Sequence, residues 1–173
     1  TESEISENRI LSMYLYKTSR YTFSLPMMIG GILAKVEDRV IRQLECIGEN
    51  LGLIFQIKDD ELGIFGRVEE TGKPIGSDIR ERKKTLYLYL LYNSLTEKEK
   101  KRLLSILKKK SLKNSDIEEV QKLIKSCEID IQIRQKIDEI YKLLKFQLDQ
   151  LEIDKEYKQK FTSFIEYNLN RNR

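Results

Sequence analysis

Asp59 and Asp60 stand side by side in Phe55-Gln56-Ile57-Lys58-Asp59-Asp60-Glu61-Leu62-Gly63. Further along, Asp78 lies between Lys73 and Lys83. Adjacent ionised carboxylates repel, and partial burial beside an apolar run raises that cost unless a cation or hydrogen-bond donors offset it. Hard oxygen donors with ammonium groups nearby suit a Mg²⁺ ion that is itself holding a phosphate. Mg²⁺ takes one or two protein carboxylates and completes its shell with water and substrate oxygens.

Positions 48, 52, 56 and 60 step by four and fall on one helical face, as Gly48, Gly52, Gln56 and Asp60. Small residues followed by an amide and two acids are expected to leave room for a ligand and grip its polar end, with Gly63 keeping that end uncrowded. The same residues also suit close helix packing at Gly48 and Gly52 with solvated aspartates beyond. In Tyr16-Lys17-Thr18-Ser19-Arg20-Tyr21-Thr22-Phe23, the residues Lys17, Thr18 and Tyr21 are expected on one side of a helix, the lysine serving as a point charge for phosphate. An ordinary amphipathic helix with a solvated lysine has the same spacing. The glycine-bearing segment from Thr71 to Thr85, with Lys73 and Lys83, is a candidate to close over a phosphorylated substrate, or else a plain surface loop.

The elements that must carry these groups read as helices almost throughout. Hydrophobic period predicts helices at 4–35, broken or kinked at Pro26, then 36–65, 78–94, 97–110, 115–126, 128–150 and 154–169. Thr96 with Glu99 and Ser115 with Glu118 fit the capping box at a helix start. Gly66, Gly72, Pro74 and Gly76 mark residues 66–77 as a loop. Apolar residues never alternate with polar ones over a strand's length, so the fold class is all-α. The row Ile129, Ile133, Ile137, Ile140, Leu144, Leu148 and Leu151 is either core, dimer surface or the seam of a coiled coil in a helical scaffold.

Composition removes several kinds of chemistry. There is no histidine, which excludes a histidine base, a Ser-His triad or a histidine-ligated metal within this chain. A net charge of +4 spread over 32 basic and 28 acidic residues gives no footprint for nucleic acid. Cys46 and Cys127 have no metal-like spacing and read as two reduced thiols of a cytoplasmic protein, with a disulfide the alternative. The longest apolar stretch, 25–34, is short of the ~20 residues a bilayer demands, so no transmembrane segment is expected. At 173 residues, the chain is read as one domain or a large piece of one, 1–173.

Taken together, the three clusters resemble the C-terminal half of the trans-isoprenyl diphosphate synthases, the farnesyl and geranylgeranyl diphosphate synthase family. Lys17-Thr18 resembles that family's lysine-threonine segment. Phe55 to Asp60 resembles its second aspartate-rich motif, and Gly72-Lys73 through Lys83 its following loop and helix. The resemblance is strong over about residues 10 to 90. It implies an isoprenoid-synthase-type helical bundle and Mg²⁺-dependent head-to-tail condensation of an allylic diphosphate with isopentenyl diphosphate, a chemistry that needs no histidine, in a homodimer. Carried over by position, it makes Asp59 the direct metal ligand and puts Asp60 and Asp78 on that metal's waters. It assigns Lys17, Lys73 and Lys83 to the diphosphate, and has Thr18 and Gln56 line the same site. Gly63 stands where many relatives have a third aspartate. The family's first aspartate-rich motif has no counterpart here, so the chain is expected to begin midway through the family's sequence and to be inactive alone. A non-catalytic partner or regulatory subunit of such a synthase is the alternative.

Overall fold

The computed structural model describes residues 6–66, 72 and 74–170. Among these, the elements are α1 (Glu7–Tyr14), a π-helical segment (Leu15–Ser24), α2 (Leu25–Leu33), α3 (Asp38–Phe65), α4 (Ser77–Arg80), α5 (Leu86–Ser94), α6 (Glu97–Leu107), α7 (Asn114–Ser126), α8 (Ile129–Gln150) and α9 (Lys155–Leu169). The described residues hold no strand, as the sequence pattern requires.

The chain divides into two compact units. Of the described residues, one comprises those in 6–10 and 59–134, and the other those in 11–58 and 135–170. The first buries Ile64 from the end of α3, and Ile79, Leu86, Tyr87, Leu91, Leu103, Ile106, Ile117, Val120 and Ile124 from its successive shorter helices. In the second, α3 supplies Leu44, Ile47, Leu51, Ile54 and Ile57, and α8 supplies Leu144 and Leu148. Each fully buried aliphatic side chain of this size contributes about 1.5–3 kcal/mol before the entropy of ordering is set against it. The predicted row from Ile129 to Leu151 is thus core: all its members are buried except Ile140, which is half-buried. A coiled-coil seam would leave that row on the surface.

Four local expectations are corrected. Pro26 does not break its helix. The backbone widens instead into the π-helical segment just before it, where Leu25 N–H reaches back five residues to Arg20 O. Proline lacks an N–H and its ring crowds the carbonyl four residues earlier, and a wider turn relieves both problems. The predicted helix 78–94 is split. Arg82 adopts a left-handed conformation (φ 54°), and Thr85 caps the start of α5 by accepting from Leu88 N–H at 3.3 Å. Helix α7 starts one residue before the predicted Ser115, with Asp116 accepting from Lys113 N–H at 2.9 Å. Finally, Gly48 and Gly52 leave no room for a ligand. A Cβ on Gly48 would lie 2.5 Å from Ser24 Cα, and one on Gly52 would lie 2.7 Å from Ser19 Oγ and closer still to Ser19 Cα. The glycines let the π-helical segment lie directly on α3. The capping box of Thr96 and Glu99 is present as expected.

Candidate functional site

In the second unit, the wide turn sets Thr18. Its hydroxyl is buried and donates to Gln56 Oε1 at 2.5 Å. Lys17 and Tyr21 are exposed while Thr18 is buried. Arg20 on the same segment stacks over the Tyr16 ring at 5.0 Å and pairs with Glu49 of α3 at 2.7 Å. The Thr18–Gln56 bond, the Ser24 Oγ to Glu45 O bond at 3.0 Å and the Arg20 pair fix the register of this segment on α3.

In the first unit, α3 brings Asp59, Asp60 and Glu61 toward its C-terminal end, where the aligned peptide dipoles present negative charge. Asp60 is only 3% exposed. The end of α3 is itself fastened: Gln121 Nε2 donates to Ile64 O at 2.7 Å, and Lys125 lies over the Phe65 ring at 5.0 Å. Tyr87, 1% exposed, keeps a neutral phenol, because burial pushes its ionisation up and the charges of Glu61, Asp130 and Asp60 add to that.

Asp78, also 3% exposed, joins this end of α3 from α4. It sits against Gly63, three residues past Asp60 on the helix. A Cβ on Gly63 would fall inside the Asp78 carboxylate, 2.6 Å from Oδ1 and nearer to Cγ and Oδ2. Gly63 therefore seats a neighbouring acid instead of leaving open space. Lys83 Nζ donates to Asp78 Oδ1 at 2.6 Å and lies 3.2 Å from Glu81. Burial works to lower the Lys83 ionisation, but the two carboxylates outweigh it and hold the ammonium above its ordinary value. The break at Arg82 makes this possible, since it turns the chain back and lets Lys83 N–H also donate to Asp78 O at 3.0 Å.

The structure thus joins Thr18 with Gln56 in one unit, and Asp78 with Lys83 at the acidic end of α3 in the other. Lys17 is exposed in its own unit, and Lys73 lies outside the described residues. Sequence reasoning missed Arg80, Tyr87 and the seat that Gly63 provides, none of which shows in spacing or composition. Among the described residues, no three acidic or cysteine side chains converge tightly enough to hold an ion alone. The donor set is all carboxylate oxygen, which suits Mg²⁺ over softer metals.

The described residues thus place a carboxylate–ammonium pair beside the acidic end of a long helix. The family model described as Polyprenyl synthetase matches residues 1–124, and the chain belongs to that family. It is 43% identical over 122 residues to the geranylgeranyl diphosphate synthase of Saccharolobus solfataricus, across 70% of this chain and 36% of that protein. A short chain isoprenyl diphosphate synthase of Methanocaldococcus jannaschii is 40% identical over 97 residues, 56% of this chain and 30% of that one. Among solved structures, the geranylgeranyl pyrophosphate synthase of Corynebacterium glutamicum complexed with isoprenyl diphosphate and magnesium superposes with a TM-score of 0.90 at 26% identity. The superposition covers 98% of this chain and 48% of that one. The chain therefore spans about a third of the length of these curated relatives and about half of that solved structure.

Proposed function

We propose that this chain carries the diphosphate-holding part of a trans-prenyltransferase that condenses an allylic diphosphate with isopentenyl diphosphate, head to tail, in the presence of Mg²⁺. The observation that carries this reading is the acidic end of α3 with Asp78 and Lys83 locked beside it, in a chain of the polyprenyl synthetase family. Asp59 would hold Mg²⁺ directly, and Asp60 and Asp78 through its waters. When bound, the metal offsets the negative charge that builds on a departing diphosphate.

Lys83 is the ammonium for the diphosphate oxygens and stays protonated throughout the working pH range, since Asp78 and Glu81 hold its ionisation up. Lys17 and Lys73 are assigned to the same anion. Thr18 and Gln56, bonded to each other and fixed on α3, present oriented dipoles to the reacting end of the allylic chain. None of these roles requires histidine. No helix of the described residues is long and apolar enough to cross a membrane, and a cytoplasmic location is part of the reading. So is homodimerisation, supported by the exposed apolar residues Tyr21, Leu25, Ile29, Ile32 and Leu33 along the first helical stretch.

Calorimetric titration of the chain with inorganic pyrophosphate, with and without Mg²⁺, tests this. Binding is expected only with Mg²⁺, and is expected to vanish in the Asp59→Asn/Asp60→Asn double variant. Metal-independent binding, or a double variant that binds as the parent does, overturns it.

A further inference from the structure

Asp78 stands on a single turn of helix with Lys83 three residues past its end, and one turn of helix cannot hold its own place, because it closes too few backbone hydrogen bonds to offset the entropy of forming. Something outside must fix it. Arg80 of α4 spreads its guanidinium across three acceptors: Nε donates to Ile75 O at 3.1 Å, one terminal nitrogen to Leu112 O at 2.6 Å and the other to Asn114 Oδ1 at 2.6 Å. Two of these acceptors belong to the connection between α6 and α7 and to the first residue of α7. Arg82 adds a bond to Lys109 O at 2.7 Å in the same connection. That connection is itself braced by Asp116, which accepts from Lys109 Nζ at 2.5 Å and from Lys113 N–H. On the other side, Gly76 (φ +68°) brings the backbone against Ile117 of α7 with no space for a Cβ.

We infer that Arg80 is a positioning residue for the diphosphate site: by binding α4 to the α6–α7 connection, it sets where the Asp78 carboxylate and the Lys83 ammonium stand. This rests on the function proposed above. Arg80 touches no substrate in this account. Its guanidinium is suited to the task because a planar fork of five donors serves several carbonyls in fixed directions, whereas a lysine ammonium is a point charge on a flexible stem. The peripheral hairpin of α6 and α7 thereby becomes part of the site's support, although it carries none of the proposed ligands.

The test is calorimetric affinity for inorganic pyrophosphate and the Mg²⁺ concentration at half-saturation, measured on the full chain beside thermal unfolding without ligand. Arg80→Ala is expected to weaken pyrophosphate binding about tenfold, as loss of a supporting partner does at metal sites, and to raise the Mg²⁺ requirement. Arg80→Lys is expected to fare no better, despite keeping the charge. Asn114→Ala removes one acceptor and shifts binding in the same direction by a smaller factor, which keeps the inference testable if Arg80→Ala does not fold. Leu144→Ala, a cavity in the other unit, controls for stability: its unfolding temperature should fall while its Mg²⁺ half-saturation stays put. Parent-like binding by Arg80→Ala and Asn114→Ala overturns the inference, as does a loss that Leu144→Ala reproduces at equal destabilisation. Asp59→Asn separates this from the functional reading: if it too binds normally, or the parent chain shows no Mg²⁺-dependent binding, the functional reading fails and the inference with it.

Discussion

The carboxylate of Asp78 occupies the space where a side chain on Gly63 would begin. Gly63 was expected to keep the end of a ligand site uncrowded; instead it lets a second acid approach the helix that carries Asp59 and Asp60. Gly63→Ala must push that carboxylate away and disturb its bond to Lys83. The expected cost is about 1–3 kcal/mol of stability by urea unfolding, typical of overpacking. Pyrophosphate affinity in Mg²⁺ should fall with it, while far-ultraviolet circular dichroism stays that of a helical protein.

Gly52 has the same relationship with Ser19. A methyl group there meets the backbone of the π-helical segment and cannot be absorbed by a rotamer change. Gly52→Ala is expected to destabilise the chain by about 1–3 kcal/mol or more, and to break the Thr18–Gln56 bond. The second effect is read from the Thr18 hydroxyl and Gln56 amide resonances, which should lose their mutual coupling while Leu144 and Leu148 keep their chemical shifts.

Asp78 is buried and Lys83 is its ammonium partner, with 40% of the lysine side chain exposed. Lys83→Met should cost about 1–3 kcal/mol, less than the 3–5 of a wholly buried pair because solvent screens the lysine. Adding Asp78→Asn to Lys83→Met should recover much of that loss, since no uncompensated charge is then left inside. A double variant no more stable than Lys83→Met would show that the pair is not coupled. The cycle is read by chemical denaturation.

The chain lacks histidine, so no side chain of ordinary ionisation titrates between about pH 5 and 8, and stability should be flat there. On the acid side, hydrogen bonds from Lys109 and from the Lys113 backbone hold Asp116 below the usual carboxylate range, and Lys125 does the same for Asp130. Groups with depressed folded values contribute stability that is complete above their unfolded value, about 3.9 for aspartate. It is lost as pH falls through the depressed one. Lys83, raised, acts in the opposite sense: its contribution is complete below the ordinary lysine value and lost only as pH climbs past it. Unfolding temperature against pH should therefore show a plateau with losses below about 4 and above about 10. Asp116→Asn should reduce the acid-side slope.

Much of the helical layout was legible because the apolar residues of α3 and α8 repeat at helical spacing over many turns, and Thr96 with Glu99 marks a start by side-chain type alone. The acidic pair was legible for the same reason: its neighbours place it on a helix. What remained hidden depends on approaches between distant residues. Nothing in Gly63 says which group will fill its missing side chain. Nothing in Arg80 tells that its donors reach Leu112 and Asn114, because those bonds exist only once α6 and α7 have folded back. The π-helical turn escaped because Pro26 signals strain without saying whether the backbone will bend or widen.

The central claim is that the carboxylates of Asp59 and Asp60 hold a divalent ion that carries a diphosphate. Crystals of the chain soaked with Mg²⁺ and pyrophosphate, with Mn²⁺ substituted to give anomalous signal, test it most directly. The prediction is a metal peak about 2.0–2.2 Å from a carboxylate oxygen of Asp59, with pyrophosphate oxygens in its shell and Lys83 within hydrogen-bond reach of the anion. Pyrophosphate seated elsewhere, or bound with no metal at Asp59, would contradict it.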